Sequence, residues 1–208
     1  MNRLEIKEKA KEIAKEQLKS FWGSLLIIIA ISFLCSLAVE LLVNENSILY
    51  NVLTLVISFF TMTLQVGFYS YLLKMVRNEE KSREDLFKYV GAVLPLATIA
   101  ILVIIFSFLW SLLFIIPGII AALGYSMVYL IYVDKPDKLP MEYLSQSKEM
   151  MNGYKWDYFV FSLSFLGWIL FSVVTLGIGL IWTIPYMSIA EIIYYEELKK
   201  KKEIETEE

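Results

Sequence analysis

WSLLFIIPGIIAALGYSMVYLIYVD, residues 110–134, carries no charged side chain before its last position, Asp134. An uncharged run of this length reads as membrane-crossing chain. Pro117 and Gly118 interrupt it, which predicts a tight transmembrane hairpin. A chain of 208 residues has no core large enough to hide this segment and several others like it. The segment therefore sets the fold class: all-α, a polytopic membrane protein.

The composition agrees. Hydrophobic residues make up 58% of the chain and charged residues 20%, with a mean hydropathy of +0.60. A soluble domain has about 45–50% apolar and 25% charged residues. No cleavable signal peptide is evident, because the first apolar run follows a long charged segment without a small-x-small site.

Outward from the central stretch, the apolar runs predict six spans arranged as three hairpins, with interfacial helices on the cytoplasmic side. Residues 21–43 form the first, about 34 Å of helix against a hydrocarbon core of about 30 Å. Residues 48–73 form the second and 90–116 the third, with Pro95 in its first turns, where a missing N–H costs least. Residues 119–133 return as a short fourth span. Residues 158–176 and 180–195 form the fifth and sixth around Gly177 and Gly179, and Pro185 is expected to kink the sixth.

Between these runs lie polar segments. In residues 1–20, Ile6, Ala10, Ile13, Ala14 and Leu18 make one apolar stripe, and Lys7, Lys11, Lys15 and Lys19 make a row at i+4 spacing. Glu8, Glu12 and Glu16 each precede a lysine by three residues, close enough to pair. The segment reads either as a solvated cytoplasmic helix or as one lying on anionic headgroups. Ser82-x-x-Asp85 is a helix-start signal. Pro140 can open a short helix and Gly153 can close it. Residues 196–208 form a charged cytoplasmic tail, expected to fray.

Orientation follows from the basic residues. Residues 1–20 hold six, residues 74–88 five, residues 135–155 four and the tail four; together these are all 19 Lys and Arg. The other three connections hold none. Six spans with both termini cytoplasmic place every one of them on the same side of the plasma membrane. The alternation also suggests a threefold repeat over residues 1–73, 74–133 and 134–195, through Lys19-Ser-Phe-Trp-Gly, Lys88-Tyr-Val-Gly and Lys155-Trp-Asp-Tyr. The identity is weak, and similar spacing arises by chance in six-span chains.

The chemical inventory disfavours an enzyme. There is no histidine, and the single cysteine, Cys35, lies in an apolar run. The commonest bases, nucleophiles and metal ligands are missing. No catalytic residue, cofactor site or metal site is assigned. The basic residues are interleaved with acids at a membrane surface, so no nucleic acid is expected as a partner. Two polar intramembrane candidates remain. Gln65 either hydrogen-bonds a neighbouring helix or lines a path. Glu191 either reaches the interface or a lysine, or serves a proton or cation. Candidate contacts to lipid headgroups are Lys7, Lys11, Lys15, Lys19 and Lys155.

Three stretches carry a resemblance. In LWSLLFIIPGIIAALGYSMVYLIYVDKP it rests on Pro117, Gly118, Tyr125, Asp134 and Pro136. SKEMMNGYKWDYFVFSLSFLGW adds Ser147, Met151, Gly153, Tyr154, Lys155, Ser164, Phe165, Gly167 and Trp168. LGIGLIWTIPY adds Gly177, Gly179, Trp182, Pro185 and Tyr186. From Lys19 to Leu198 the chain resembles a family of uncharacterised bacterial integral membrane proteins, domain of unknown function 975. The resemblance implies a polytopic bacterial membrane protein and brings no activity or catalytic residue. The expected function is non-enzymatic: binding or moving a lipid, peptide or other amphiphile, with anionic membrane lipids as partners. The alternative is a structural or regulatory subunit of another membrane complex, or a homo-oligomer.

Overall fold

Residues 18–42 contain only two charged side chains, Lys19 and Glu40, and fold as one helix. The same pattern recurs along the chain in the computed structural model, which describes residues 2–207. The chain is 83% helical, with no strand among the described residues. The α-helices are α1 (Arg3–Glu16), α2 (Leu18–Leu42), α3 (Ile48–Arg77), α4 (Val93–Leu113), α5 (Ile115–Gly124), α6 (Val128–Asp134), α7 (Pro140–Met150), α8 (Lys155–Leu163), α9 (Leu166–Val174) and α10 (Leu180–Glu207). Five segments are long and apolar enough to cross a membrane: Leu18–Leu42, Ile48–Arg77, Arg83–Leu112, Ile115–Asp134 and Lys155–Val174. The chain divides into a contiguous unit, Lys19–Thr98, and a discontinuous one, Met1–Leu18 with Ile99–Glu208.

In the contiguous unit, α2 and α3 meet where Phe21 packs edge-on against Phe68, at 5.2 Å between ring centroids, and Ser20 shares a hydrogen bond with Tyr71. Further along α2, Phe33, Leu34, Leu41 and Leu42 are exposed. An apolar helix this bare is stable only with lipid or protein around it. The same end of α3 is anchored by the polar connection. Asn78, left-handed at φ 57°, caps α3. Ser82 and Asp85 then form the expected capping box, but it opens a single short 3-10 turn, Arg83–Phe87. Asp85 accepts from the Ser82 N–H at 2.9 Å and from Lys74 Nζ at 2.6 Å. The turn lies so close to α3 that the Leu86 backbone occupies the space a side chain at position 67 would need. Only Gly67 fits there.

In the discontinuous unit the structure corrects the turn expected at Pro117–Gly118. The helix breaks at Phe114, between α4 and α5, where the backbone is extended at φ −161° and ψ 154°. Pro117 sits in the first turn of α5, where no intrahelical donor is required. Gly118 serves close packing, since a Cβ there would lie 2.1 Å from Ser111 Oγ. Because α5 begins at Ile115, the returning segment is 20 residues long and not the short span expected. It is broken between α5 and α6. Ser147 on α7 covers the break, donating to the Gly124 carbonyl at 2.8 Å and accepting from the Met127 N–H at 3.3 Å. Pro140 opens α7, and Gly153, at φ 83°, lies in the turn beyond it, as the sequence predicts.

The run from residue 155 to 174 is likewise broken, at Ser164 and Phe165, into α8 and α9. Both pack antiparallel to α10. Going along the pair, Phe161 meets Tyr194 at 4.9 Å and Phe165 meets Tyr186 at 5.1 Å between ring centroids, and the hydroxyls of Ser172 and Thr183 are 2.9 Å apart. The closing turn uses Leu176 and Gly177 at positive φ, and Thr175 Oγ1 accepts from the Gly179 N–H at 2.8 Å. Helix α10 continues through Pro185 and through the charged end to Glu207. The expected frayed tail is therefore helical.

Candidate functional site

Helix α1 begins with Asn2, whose side chain accepts from the Glu5 N–H. Its stripe of Ile6, Ala10 and Ala14 is buried, and the helix packs along α10. The stripe that would sink into a bilayer is thus covered by protein. Headgroups can meet α1 only through its polar side chains. The lysine–glutamate pairs expected within α1 do not close: Glu8, Glu12 and Glu16 have no ion pair among the described residues.

Arg3, Lys7, Lys11 and Lys15 of α1 instead turn toward the α8–α10 layer. Arg3 pairs with Asp157 at 3.2 Å. Lys7 Nζ donates to the Ser164 carbonyl at 3.2 Å and sits 4.8 Å from the centre of the Phe165 ring, at the break between α8 and α9. Partial burial, and then the nearby Arg3 charge, hold its pKa below the ordinary lysine range. Lys11 and Lys15, further along the same row, stand at the edge of a slot of about 360 Å³. Its remaining walls are Ala14 and Leu18 of α1, Trp168 and Phe171 of α9, and Trp182 and Tyr186 of α10. The lining holds two cations and no anion. Neither lysine, and neither indole N–H of Trp168 or Trp182, has a hydrogen-bond partner among the described residues.

A second slot, of about 440 Å³, repeats the chemistry. Lys148 on α7 stands beside Phe106, Leu109 and Trp110 of α4 and Tyr125. A third cleft, of about 450 Å³, differs. It gathers Asp134, Lys135, Glu149, Lys199, Lys202 and Glu203, so its charges largely compensate one another. Asp134 is the centre of that cleft: its side chain is 9% exposed, paired with Lys199 at 2.7 Å and accepting from the Tyr195 hydroxyl at 2.8 Å.

The remaining sequence candidates are scattered. Glu191 is half-buried on α10 and accepts from the Tyr158 hydroxyl at 3.2 Å. Gln65 is exposed on α3 and has no partner among the described residues. Lys19 is exposed at the start of α2. The Lys155 side chain lies beside Gly124, at the C-terminal end of α5, where the helix dipole favours a cation. Sequence reasoning missed Asp134 and Asp157 as organising groups. Their signal was an aspartate at the edge of an apolar run, Asp134 closing one and Asp157 opening the next, which reads equally well as a plain boundary.

The chain belongs to the family described as protein of unknown function (DUF975), whose model matches residues 1–122 and 97–202. No curated protein matches the chain. No solved structure matches it.

Proposed function

We propose that this member of the family is a non-enzymatic integral membrane protein that binds or moves an amphiphile, held in slots between its polar helices and its apolar ones. The observation that carries the reading is the recurrence of one arrangement at two places. Lysine from a polar helix stands beside an apolar, aromatic wall, at Lys11 and Lys15 and again at Lys148. Such a wall suits an acyl chain or apolar side chain, and the lysine suits a charged head. The absence of histidine and the single cysteine support a non-enzymatic role.

The arrangement in the membrane completes the proposal. Five apolar segments are joined by a sixth span at the start of α10, residues 180–195, with Glu191 near its cytoplasmic end. The six pair as three hairpins with both ends cytoplasmic; the basic residues of the connections and of the tail lie on that side of the plasma membrane, and α1, held there by Arg3 and Asp157, carries Lys11 and Lys15 inward to the slot. Single cysteines in a Cys35→Ser background test it. Those at Asn46, Ile116 and Thr175 are expected to react with a membrane-impermeant thiol reagent added to intact cells. Those at Ser82, Gln146 and Thr206 are not, and labelling at Ser82 overturns the orientation.

Native mass spectrometry of gently extracted protein tests the function. Retention of lipid or peptide adducts is expected. Protein that carries none, but co-purifies with one partner chain at fixed stoichiometry, would favour the subunit role instead.

A further inference from the structure

Lys7, Lys11 and Lys15 form one row on α1, about 6 Å apart along the helix axis. The first is held by protein groups, the Ser164 carbonyl and the Phe165 ring. The next two stand over Trp168, Phe171, Trp182 and Tyr186 with no counter-charge in the lining. We propose that this slot is a binding site for one anionic phospholipid. The inference rests on the amphiphile-binding reading above and names the class of ligand for this slot.

Three features of the slot select that ligand. Two ammonium groups one helical turn apart can reach the same phosphodiester, whose charge the lining leaves them free to meet. The indole N–H groups of Trp168 and Trp182, which donate to nothing among the described residues, suit the ester carbonyls next to a phosphate. The aromatic wall then accepts the first part of an acyl chain. At about 360 Å³ the slot is at the small end of ligand sites, which fits a headgroup and the start of a chain, with the rest in the bilayer. The mixed-charge cleft around Asp134 has no such selectivity, because its three lysines share the lining with three carboxylates and Lys199 is paired with Asp134.

The test uses the full-length chain reconstituted in nanodiscs of equal phosphatidylglycerol and phosphatidylcholine, then moved to mild detergent for native mass spectrometry. Wild type is expected to retain phosphatidylglycerol over phosphatidylcholine by about tenfold or more, given two lysines at a lipid surface. The Lys11→Gln/Lys15→Gln variant is expected to lose that preference. Lys11→Arg/Lys15→Arg is expected to keep it, and so is Lys9→Gln/Lys81→Gln, which removes the same charge away from the slot. Preference surviving in Lys11→Gln/Lys15→Gln, or lost equally in Lys9→Gln/Lys81→Gln, overturns the site while leaving amphiphile binding intact. Displacement of the lipid by soluble glycerol phosphate would assign the lysines to a free phosphate and also overturn it. If wild type retains no lipid or peptide of either charge, the broader reading fails as well.

Discussion

Substituting Gly67 with alanine tests the tightest contact in the contiguous unit. A Cβ at this position would lie 2.1 Å from the Leu86 carbonyl oxygen, 2.6 Å from its carbonyl carbon and 2.9 Å from its Cα. Ordinary van der Waals contact begins at 3.4 Å. The difference between 3.4 and 2.1 is about 1.3 Å, the distance by which α3 and the 3-10 turn must part. The obstacle is backbone, so no side-chain rotation relieves it, and the parting also pulls on the Lys74–Asp85 pair. Overpacking of this kind costs about 3 kcal/mol, at the upper end of its usual range. Alanine recovers about 1 kcal/mol of helix propensity relative to glycine. The net expectation is a loss of about 2 kcal/mol. The assay is SDS-driven unfolding of detergent-solubilised protein followed by far-UV circular dichroism. Gly23→Ala is the matched control on α2, since a Cβ there meets nothing within 4 Å and should be neutral or stabilising. If Gly67→Ala unfolds at the same or a higher SDS fraction than wild type, the close approach of α3 to Leu86 is refuted.

Two further substitutions probe the discontinuous unit by the same assay. Asp134→Asn removes the charge that faces Lys199 and weakens the bond from Tyr195. A loss of about 2 kcal/mol is expected, discounted from the usual cost of breaking a buried pair because Lys199 keeps access to water; no measurable loss would show that the cleft is not stabilised by this pair. Tyr158→Phe leaves the half-buried Glu191 without its donor and is expected to cost about 1–3 kcal/mol, whereas Glu191→Gln keeps an acceptor for Tyr158 and should cost less. Equal losses in the two variants would mean that the Tyr158–Glu191 bond does not hold the helices together.

What could be read in the sequence was what depends on local pattern. The apolar runs, the Ser82–Asp85 cap, Pro140 at the start of α7 and Gly177 in the last turn all act within a few residues, and all appear in the fold. The helix break at Phe114 did not announce itself. An extended bulky aromatic has no turn signature, while Pro117–Gly118 beside it has a strong one that equally suits the first turn of a helix. The slot was half legible. The lysine row of α1 was plain, but its partners Trp168 and Trp182 are remote in the chain, and no periodicity links them to Lys11 and Lys15. The covering of Ile6, Ala10 and Ala14 by α10 was hidden for the same reason.

The packing of α1 on α10 also sets an order of events during synthesis. The two helices are separated by most of the chain, so α1 leaves the ribosome long before its partner exists. At about 5–20 residues per second that interval is about 10–35 s. The contiguous unit, Lys19–Thr98, can assemble meanwhile, because everything it needs has been made. The discontinuous unit cannot close until the last helix arrives. Through that wait the stripe of Ile6, Ala10 and Ala14 has no protein to cover it, and the natural shelter is the membrane surface beside the point of insertion. If it is sheltered there, α1 passes from lipid to protein when α10 arrives, and a nascent chain halted before α10 would still hold α1 at the bilayer surface.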